Sequence, residues 1–585
     1  MAFRLGGGAV DMGMDPNIVE GHQKQLITAL TSAPSFSLVL PFDSLFDEER
    51  GLFSNSEKKG RDSERPVSIE LIYPPDFFDE IDQSPRHGAK NGFAVNAGLR
   101  IRGGWATRKN TNPKHSFRLY FRGAYGPKNL DYDLFGDEGV DEFDKFDLRT
   151  AQSNSWSLQG SPHHTFLRDV FSRDTQRDMG MPYTRSRYYH LYLNGQYWGM
   201  YQTQERADQW HGEFYIGGDK DDFDVVKHDN GHIEFSEGNQ KAWSLLYDEV
   251  NQLAQLVDEQ ERNAVYMKLR GLNPDGSPNS DYPVLLDADN LIQYMLIIFW
   301  RANTDGPIIV GDHVTNNWIG MRDRKGNRGF VFFVHDAEFT LFPGPGTESK
   351  PHDRTGPFSV GDEFERSNPQ WIHQQLMGAG HYRLRFAELA HQHFSREGAL
   401  SDSSVFARWD ARVNEVRSMI LAEAARWGDF KRTPPRTPQD WRWAVKQVRE
   451  QFLPSRTPIV IQQLRQAKRW ESGRPGDTLV DAPLYGDILT SRTTNGQGFE
   501  TSLEQNYPNP FNSATFISFS LKTQQHTTLT VYDLLGRKMK LLVDDRMPSG
   551  THRIAFDAQP LVSGTYLYTL RTGNRIVTKR MILMK

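Results

Sequence analysis

Asn303-Thr-Asp-Gly-Pro307, Asn316-Asn-Trp-Ile-Gly-Met-Arg322 and Gly329-Phe-Val-Phe-Phe-Val-His-Asp336 follow one another behind the apolar run Leu291–Trp300. The run reads as a helix that Asp287 can cap, apolar on nearly every side and therefore deeply buried. A buried helix has no need of the polar turn at 303–307 unless its polar groups serve something. The next two stretches read as a hairpin with its turn at Asp323–Asn327, and its second strand stays apolar until it ends in an acid.

One carboxylate thus follows a buried helix (Asp305), an amide precedes a strand (Asn317), and the next strand ends in a second carboxylate (Asp336). Protein kinases carry their catalytic Asp, metal-binding Asn, hairpin and metal-binding Asp in that order. Magnesium asks for hard oxygen ligands, a few carboxylates plus phosphate, and needs neither His nor Cys. The plainer reading makes both acids turn and strand-end caps.

Outward from this stretch, the first half of the chain is strand-rich. Gly98-Leu-Arg-Ile-Arg102 and Ser116-Phe-Arg-Leu-Tyr-Phe121 alternate with period two. Residues 165–180 read as a helix closed by Gly180 and Pro182. Asn194-Gly195, between Arg187–Leu193 and Tyr197–Gln204, is the preferred type I′ hairpin pair. Residues 242–269 predict one or two helices. Residues 403–427 predict a single helix whose apolar stripe runs from Val405 to Trp427, with Arg408, Arg412 and Glu423 largely off it. Residues 471–500, poor in large apolar side chains, read as a linker. Beyond it, six short strands separated by turns (515–521, 527–533, 537–543, 550–556, 564–571 and 575–584) predict an antiparallel β-sandwich.

The 585 residues include 36 Phe, 21 Tyr and 13 Trp, far too aromatic for a disordered chain, and no Cys, which excludes disulfides and Cys-ligated metals. A formal charge of −5 offers no global field for nucleic acid. No apolar run approaches the ~20 residues of a transmembrane helix. No signal peptide is visible at the amino terminus, where Asp11, Asp15 and Glu20 come early.

Two resemblances sharpen this reading. Arg100-Ile-Arg-Gly-Gly104, Asn112-Pro-Lys-His-Ser-Phe-Arg-Leu119, Tyr192-Leu-Asn-Gly-Gln-Tyr-Trp-Gly-Met-Tyr201 with Glu205-Arg206, Asn303-Thr-Asp305 and His335-Asp-Ala-Glu338 resemble, in order, the CotH family of atypical protein kinases. Asn506-Tyr-Pro-Asn-Pro-Phe-Asn512, Tyr532-Asp-Leu-Leu-Gly-Arg537, Ser563-Gly-Thr-Tyr-Leu-Tyr568 and Met581-Ile-Leu-Met-Lys585 resemble the type A sorting domain of the type IX secretion system.

Together they imply an α+β chain: a lead-in over 1–65, a two-lobed kinase-like domain over 66–470, a linker over 471–500, and a small Ig-like β-sandwich over 501–585. The first resemblance implies transfer of the ATP γ-phosphate to protein Ser/Thr acceptors with Mg2+ (Mn2+ also possible). Asp305 would be the catalytic carboxylate, and Asn317 and Asp336 the metal ligands, with Glu338 in support. Lys114, Arg118 and Lys227 compete as the phosphate-binding cation, and Glu205 could order a lysine. The second resemblance implies engagement of the secretion machinery by 501–585 and delivery to the outer surface or medium. That route needs an export signal, so the true start is expected upstream. The competing readings are an inactive kinase-like surface scaffold and a two-metal phosphoesterase, the latter requiring more acids than this segment holds.

Overall fold

A computed structural model describes residues 2–5, 8–75, 91–104, 108, 112–151, 155–229, 231–309, 314–342, 352–470, 479–483 and, apart from scattered positions, 501–584. Tyr507, Pro508 and Pro510 of the first sorting motif, Lys585, residues 310–313 and most of the expected linker lie outside them. The chain divides into two compact units, Met1–Gly486 and Asp487–Lys585.

In the first unit seven strands close into a barrel: β1 (Ser35–Val39), β2 (Arg65–Ile72), β3 (Ala94–Arg102), β4 (Ser116–Tyr120), β5 (Lys145–Arg149), β6 (Tyr188–Leu193) and β7 (Gln196–Gln204). Their order is β6-β7-β5-β4-β3-β2-β1, and β1 closes the ring by lying parallel to β6. The stretch read as a lead-in therefore supplies a barrel strand. Alternation sends Val67, Ile69 and Leu71, Leu99 and Ile101, Phe117 and Leu119, and Phe146 and Leu148 into one core. The same alternation leaves Arg100, Arg102, Arg118, Asp147 and Arg149 together on the opposite face of β3, β4 and β5, where Arg118 stands directly across from Asp147.

The hairpin turn has Asn194 at φ 49° and Gly195 at φ 79°, both left-handed, as a type I′ turn requires. Asn194 also exchanges two 2.9 Å hydrogen bonds with the Leu40 backbone, tying the hairpin to the end of β1.

Between β5 and β6 runs helix α1 (Arg168–Asp178), shorter at its start than the 165–180 expected. It is largely polar and yet buried from Arg168 through Gln176. It survives there because its polar side chains are shared with other elements, the condition for burying such groups. One of these elements is a four-stranded antiparallel sheet of β8 (Phe223–Asp229), β9 (His232–Glu237), β10 (Trp318–Asp323) and β11 (Val331–Val334), in the order β9-β8-β10-β11. Strand β11 is an edge, and amides cover it in place of another strand. Gln176 of α1 donates to the Phe332 carbonyl (2.7 Å) and accepts from the Val334 N–H (3.1 Å), while Asn290 accepts from the Phe332 N–H (2.6 Å). Asn290 belongs to α2 (Ala288–Arg301), the expected buried helix, capped by Asp287.

Residues 241–269 form two helices, Lys241–Gln255 and Glu259–Leu269. The single helix expected over 403–427 is two: α3 (Asp402–Val416) and α4 (Ile420–Trp427), joined by a turn in which the Met419 N–H bonds the Val416 carbonyl. No breaker residue marks the turn. Val416, Met419 and Ile420 are all fully buried there, so packing overrides local propensity. The off-stripe residues are not solvated either. Arg412 pairs with Asp174 (2.6 and 2.8 Å) and Arg408 with Asp178 (2.6 Å), fastening α3 to α1.

Helix α4 docks on β7 through Trp198-Gly199. The Trp427 indole donates to the Trp198 carbonyl (2.7 Å), and Glu423 accepts from the Met200 N–H (2.8 Å). Gly199 has φ 124°, and an added Cβ would lie 2.8 Å from both the Glu423 carboxylate and the Trp427 indole nitrogen. Gly199→Ala is therefore expected to cost about 2–4 kcal/mol in urea unfolding. Gly104→Ala, where nothing lies within 4 Å, should stay within about 0.5 kcal/mol. Equal midpoints for the two variants would refute this account of the motif.

The expected linker contains a strand, Leu479–Pro483, paired with Lys468–Trp470. The second unit has two antiparallel sheets over a single core that includes Ile517, Phe519, Leu529, Val531, Tyr568 and Leu570. The three-stranded sheet joins Ser502–Leu503 to Ala514–Leu521 and Gly550–Asp557, and the four-stranded sheet holds Lys538–Met547, Gln525–Asp533, Gly564–Thr572 and Arg575–Leu583 in that order. The six expected strands are joined by the short seventh at 502–503. The sorting motifs have structural roles here: the Asn506 N–H donates to the Tyr568 hydroxyl (2.8 Å), and Arg537 clamps Asp533 across its turn (2.6 Å).

Candidate active site

Helix α2 ends at Ala302, whose φ of 52° turns the chain into the Asp305 loop. Asn303 accepts the Asp305 N–H (3.2 Å), and the Thr304 N–H bonds the Phe339 carbonyl (3.1 Å), laying this loop beside the segment that follows β11. The two asparagines before β10 close on the carboxylate. Asn316 Nδ2 donates to Asp305 Oδ1 (3.1 Å) and Asn317 Nδ2 to Oδ2 (2.9 Å), and both also reach the Asp305 carbonyl. Burial and then the neighbouring Asp336 charge push the Asp305 carboxyl up to about 7, against the two amide donors.

Asp336 stands where β11 ends. The register sets Trp318 opposite Val334, which puts Asn317 and Asp336 at the same end of the hairpin. Both occupy the left-handed region, Asn317 at φ 50° and Asp336 at φ 48°, a conformation that persists when surrounding structure enforces it. Asp336 Oδ1 accepts from Arg149 (2.6 Å), and its side chain is 36% exposed. Burial alone would raise its pKa, but the Arg149 charge outweighs it and holds the group below the ordinary carboxylate value. Two acids at one end of one hairpin therefore differ in proton affinity, one held ionised and the other poised near neutrality.

Arg149, the last residue of β5, is the hub. Its guanidinium reaches Asp336 (2.6 Å), Glu338 (3.0 Å), Asp169 (3.2 Å) and Gln204 (2.9 Å) at 3% exposure. Asp169, from α1, also accepts the Ala337 N–H (2.9 Å), so α1 grips the turn that carries Asp336. Sequence reasoning missed Arg149 and Asp169. The signal was the alternation of Lys145-Phe-Asp-Leu-Arg149, which gives the strand its polar face just before a helix.

Each candidate cation is held in an ion pair of its own. Lys114 is 1% exposed, its ammonium 2.5 Å from Glu423 and flanked by the Phe166 and Tyr201 rings. Burial lowers its pKa, with Glu423 opposing. Arg118 pairs with Asp147 (2.5 and 2.9 Å), which Arg102 also engages (2.8 Å), on the barrel face that carries Arg149. Lys227, on β8, pairs with Glu234 (3.0 Å). Glu205 orders an arginine in place of the expected lysine, accepting from the Arg185 backbone and side chain (2.8 and 3.0 Å) and from Tyr215 (2.5 Å).

Among the described residues no group of three His, Cys, Asp or Glu could close around a metal ion. The donor set present suits a hard cation that keeps water and phosphate as its remaining ligands. Asp336 has one oxygen outside the Arg149 bond. Asn317 has its amide nitrogen committed to Asp305, which leaves the amide oxygen for a cation.

The Asp305 shift makes a metal-free prediction. Below the ordinary carboxylate pKa both folded and unfolded chains are protonated at this position. As pH rises toward about 7 the folded chain still holds a proton that the unfolded chain has released, so the stability from that proton is progressively lost. In chelator, wild type should lose on the order of 1–3 kcal/mol relative to Asp305→Asn between pH 5 and 7.5. Parallel curves of urea midpoint against pH would contradict the shift.

A family model described as CotH kinase protein matches residues 99–457, more than half of the chain. A second, described as a secretion system C-terminal sorting domain, matches residues 505–584 and points to secretion or the cell surface. No curated protein matches the chain. Among the described residues no helix is long and apolar enough to cross a membrane.

Proposed function

The chain belongs to the CotH kinase protein family, and on that premise we propose that it is a secreted or surface-exposed protein kinase that transfers the ATP γ-phosphate to Ser/Thr hydroxyls of a protein acceptor. In this reading the barrel and the β8–β11 sheet with its helices are the two lobes of a kinase-like domain. The 501–585 unit is an Ig-like sandwich recognised by the type IX machinery. Asp305 takes the proton from the acceptor hydroxyl, and its position near neutral pKa suits a group that must gain and lose a proton at physiological pH. Asp336 and the Asn317 amide oxygen hold Mg2+ or Mn2+. When bound, the metal supplies positive charge for the phosphates. Arg149 orients Asp336 while Glu338 and Asp169 orient Arg149, and Arg102 and Arg118 extend the cationic face.

The observation that carries this reading is the placing of two differently held carboxylates at one end of the β10–β11 hairpin, Asp305 between the Asn316 and Asn317 amides and Asp336 on the Arg149 guanidinium. The test is incubation of the full chain with γ-labelled ATP, magnesium or manganese, and a generic acceptor protein. Incorporated label that Asp336→Ala abolishes is the expected result. A folded wild-type chain that incorporates no label and shows no metal-dependent thermal shift with ATP would leave the scaffold reading. That reading draws on a specific observation: Lys114, Arg118 and Lys227 all sit in ion pairs.

A further inference from the structure

The end of β7 lies beside β5, because Gln204 pairs with Asp147. A short helix, Gln209–Tyr215, follows at once, its first turn capped by Asp208, which accepts the Trp210 N–H (3.2 Å). Between these elements lies an open cleft, about 330 Å³ with its mouth, walled by the Phe143, Trp210 and Phe214 rings. Its charged lining is mainly acidic. Glu205 is already engaged by Arg185 (3.0 Å) and Tyr215 (2.5 Å). That leaves Glu142, Asp144 and Asp208 against Lys145 and Arg206.

Pairing inside the cleft is incomplete. Lys145 is shared between Asp144 (2.6 Å) and Asp208 (3.0 Å), and Arg206 stands 3.7 Å from Asp208. Three carboxylates on two cations leave one negative charge unmatched. The Asp144 carboxyl accordingly stays above its ordinary pKa although Lys145 touches it: burial raises it first, and the Asp208 charge adds. His211 makes a second demand of the same kind. It lines the cleft at 4% exposure, and its Nε2 faces the Tyr183 carbonyl (3.0 Å), so Nε2 carries the proton. Burial lowers its pKa and keeps the ring neutral. The bare Nδ1 is then an acceptor, and it has no partner.

An unmatched negative charge, an acceptor without a donor and aromatic walls all favour one kind of occupant, a cationic hydrogen-bond donor. An anion is repelled, and among the described residues no three acids or histidines could close around a metal ion. Lys145 shares a face of β5 with Arg149, four residues on. The cleft therefore begins about 13 Å from the guanidinium that holds Asp336, a span that about four residues of extended peptide would cover.

We propose that this cleft seats one arginine or lysine side chain of the protein acceptor, about four residues from the hydroxyl that receives the phosphate. What happens to the acceptor rests on the phosphoryl-transfer reading; the binding of its cationic side chain does not.

The test uses the full chain and three fluorescein-labelled serine peptides, identical except for Arg, Lys or Gln placed four residues to each side of the serine. Anisotropy without nucleotide should show the Arg and Lys peptides binding roughly tenfold tighter than the Gln peptide. Asp144→Asn should remove most of that preference and Asp144→Lys all of it. If Asp144→Lys does not fold, Glu142→Lys, on the exposed rim, brings the same charge to the mouth and should also erase the preference. Equal affinity for the three peptides in wild type, or a preference that survives in the folded lysine variant, overturns the proposal. A fall in ATP affinity in that variant with the peptide preference intact does so as well, because the cleft would then hold the nucleotide base. With γ-labelled ATP the preference should appear as a lower KM for the Arg and Lys peptides at similar kcat. Selective binding with no transfer to any peptide leaves the cleft standing and removes the kinase reading alone.

Discussion

Asp336→Ala is expected to abolish both phosphate transfer and metal-dependent nucleotide binding, whereas Asp305→Asn keeps most of the binding and loses the transfer. The contrast follows from what each carboxylate faces. Asp336 presents an oxygen outside its Arg149 bond, on a partly exposed side chain, so in the proposed site its removal would take away a ligand of the metal that offsets phosphate charge. Asp305 is enclosed by two amides, and in the proposed reaction it would act on the acceptor proton, an interaction made mainly in the transition state. Loss of a general base is worth on the order of 10²–10⁴-fold in rate, well within the range of a labelled-ATP assay. Calorimetry with ATP and magnesium, alongside that assay, supplies both readouts. Both variants must first show one cooperative unfolding transition well above the assay temperature, since each acid also organises its turn. Wild-type binding and wild-type transfer in both variants would eliminate this site.

Arg149→Met should be the most destabilising single change near the site. It removes the one guanidinium shared by Asp336, Glu338 and Asp169 and leaves buried carboxylates facing each other. Breaking a buried ion pair by deleting one partner costs about 3–5 kcal/mol, so urea unfolding should shift far toward lower denaturant. Nucleotide binding should fall as well, because Asp336 loses the group that orients it. Arg149→Lys keeps the charge but cannot span four acceptors, and should lie between the two. A wild-type urea midpoint for Arg149→Met would show that the cluster is not structural, whatever happens to activity.

Much of the fold could be read from period alone. Alternation marked β3, β4 and the Asn194-Gly195 hairpin because one face of each strand must be apolar to fill the barrel. The apolar run of α2 announced its own burial. The order Asp305, Asn317, Asp336 was visible because chain order is what a sequence states directly. What stayed hidden depends on partners distant in the chain. Lys114 looks like a free cation until Glu423, 309 residues later, is placed against it. Arg149 reads as one more polar strand residue until α1 and the Asp336 turn are brought onto its face. Likewise α1 itself, mostly polar, gives no sequence sign of being buried on all sides. The turn between α3 and α4 was invisible because no residue in it resists a helix; the packing around Met419 makes it.

The parallel pairing of β1 with β6 sets an order on folding. Ser35 lies opposite His190, so the ring closes across a loop of about 150 residues, the most non-local contact in the barrel. Closing so long a loop is entropically unfavourable until other contacts have shortened it. The β6–β7 hairpin, the β3-β4-β5 meander and the β1–β2 pair are all local, so loop entropy leaves the β1–β6 seam as the pairing expected to close last, where Asn194 takes the Leu40 backbone. During synthesis the amino-terminal strand must therefore remain unpaired on that side until some 150 further residues have emerged. Until then that edge of the strand offers its unpaired backbone groups to any other strand that meets it.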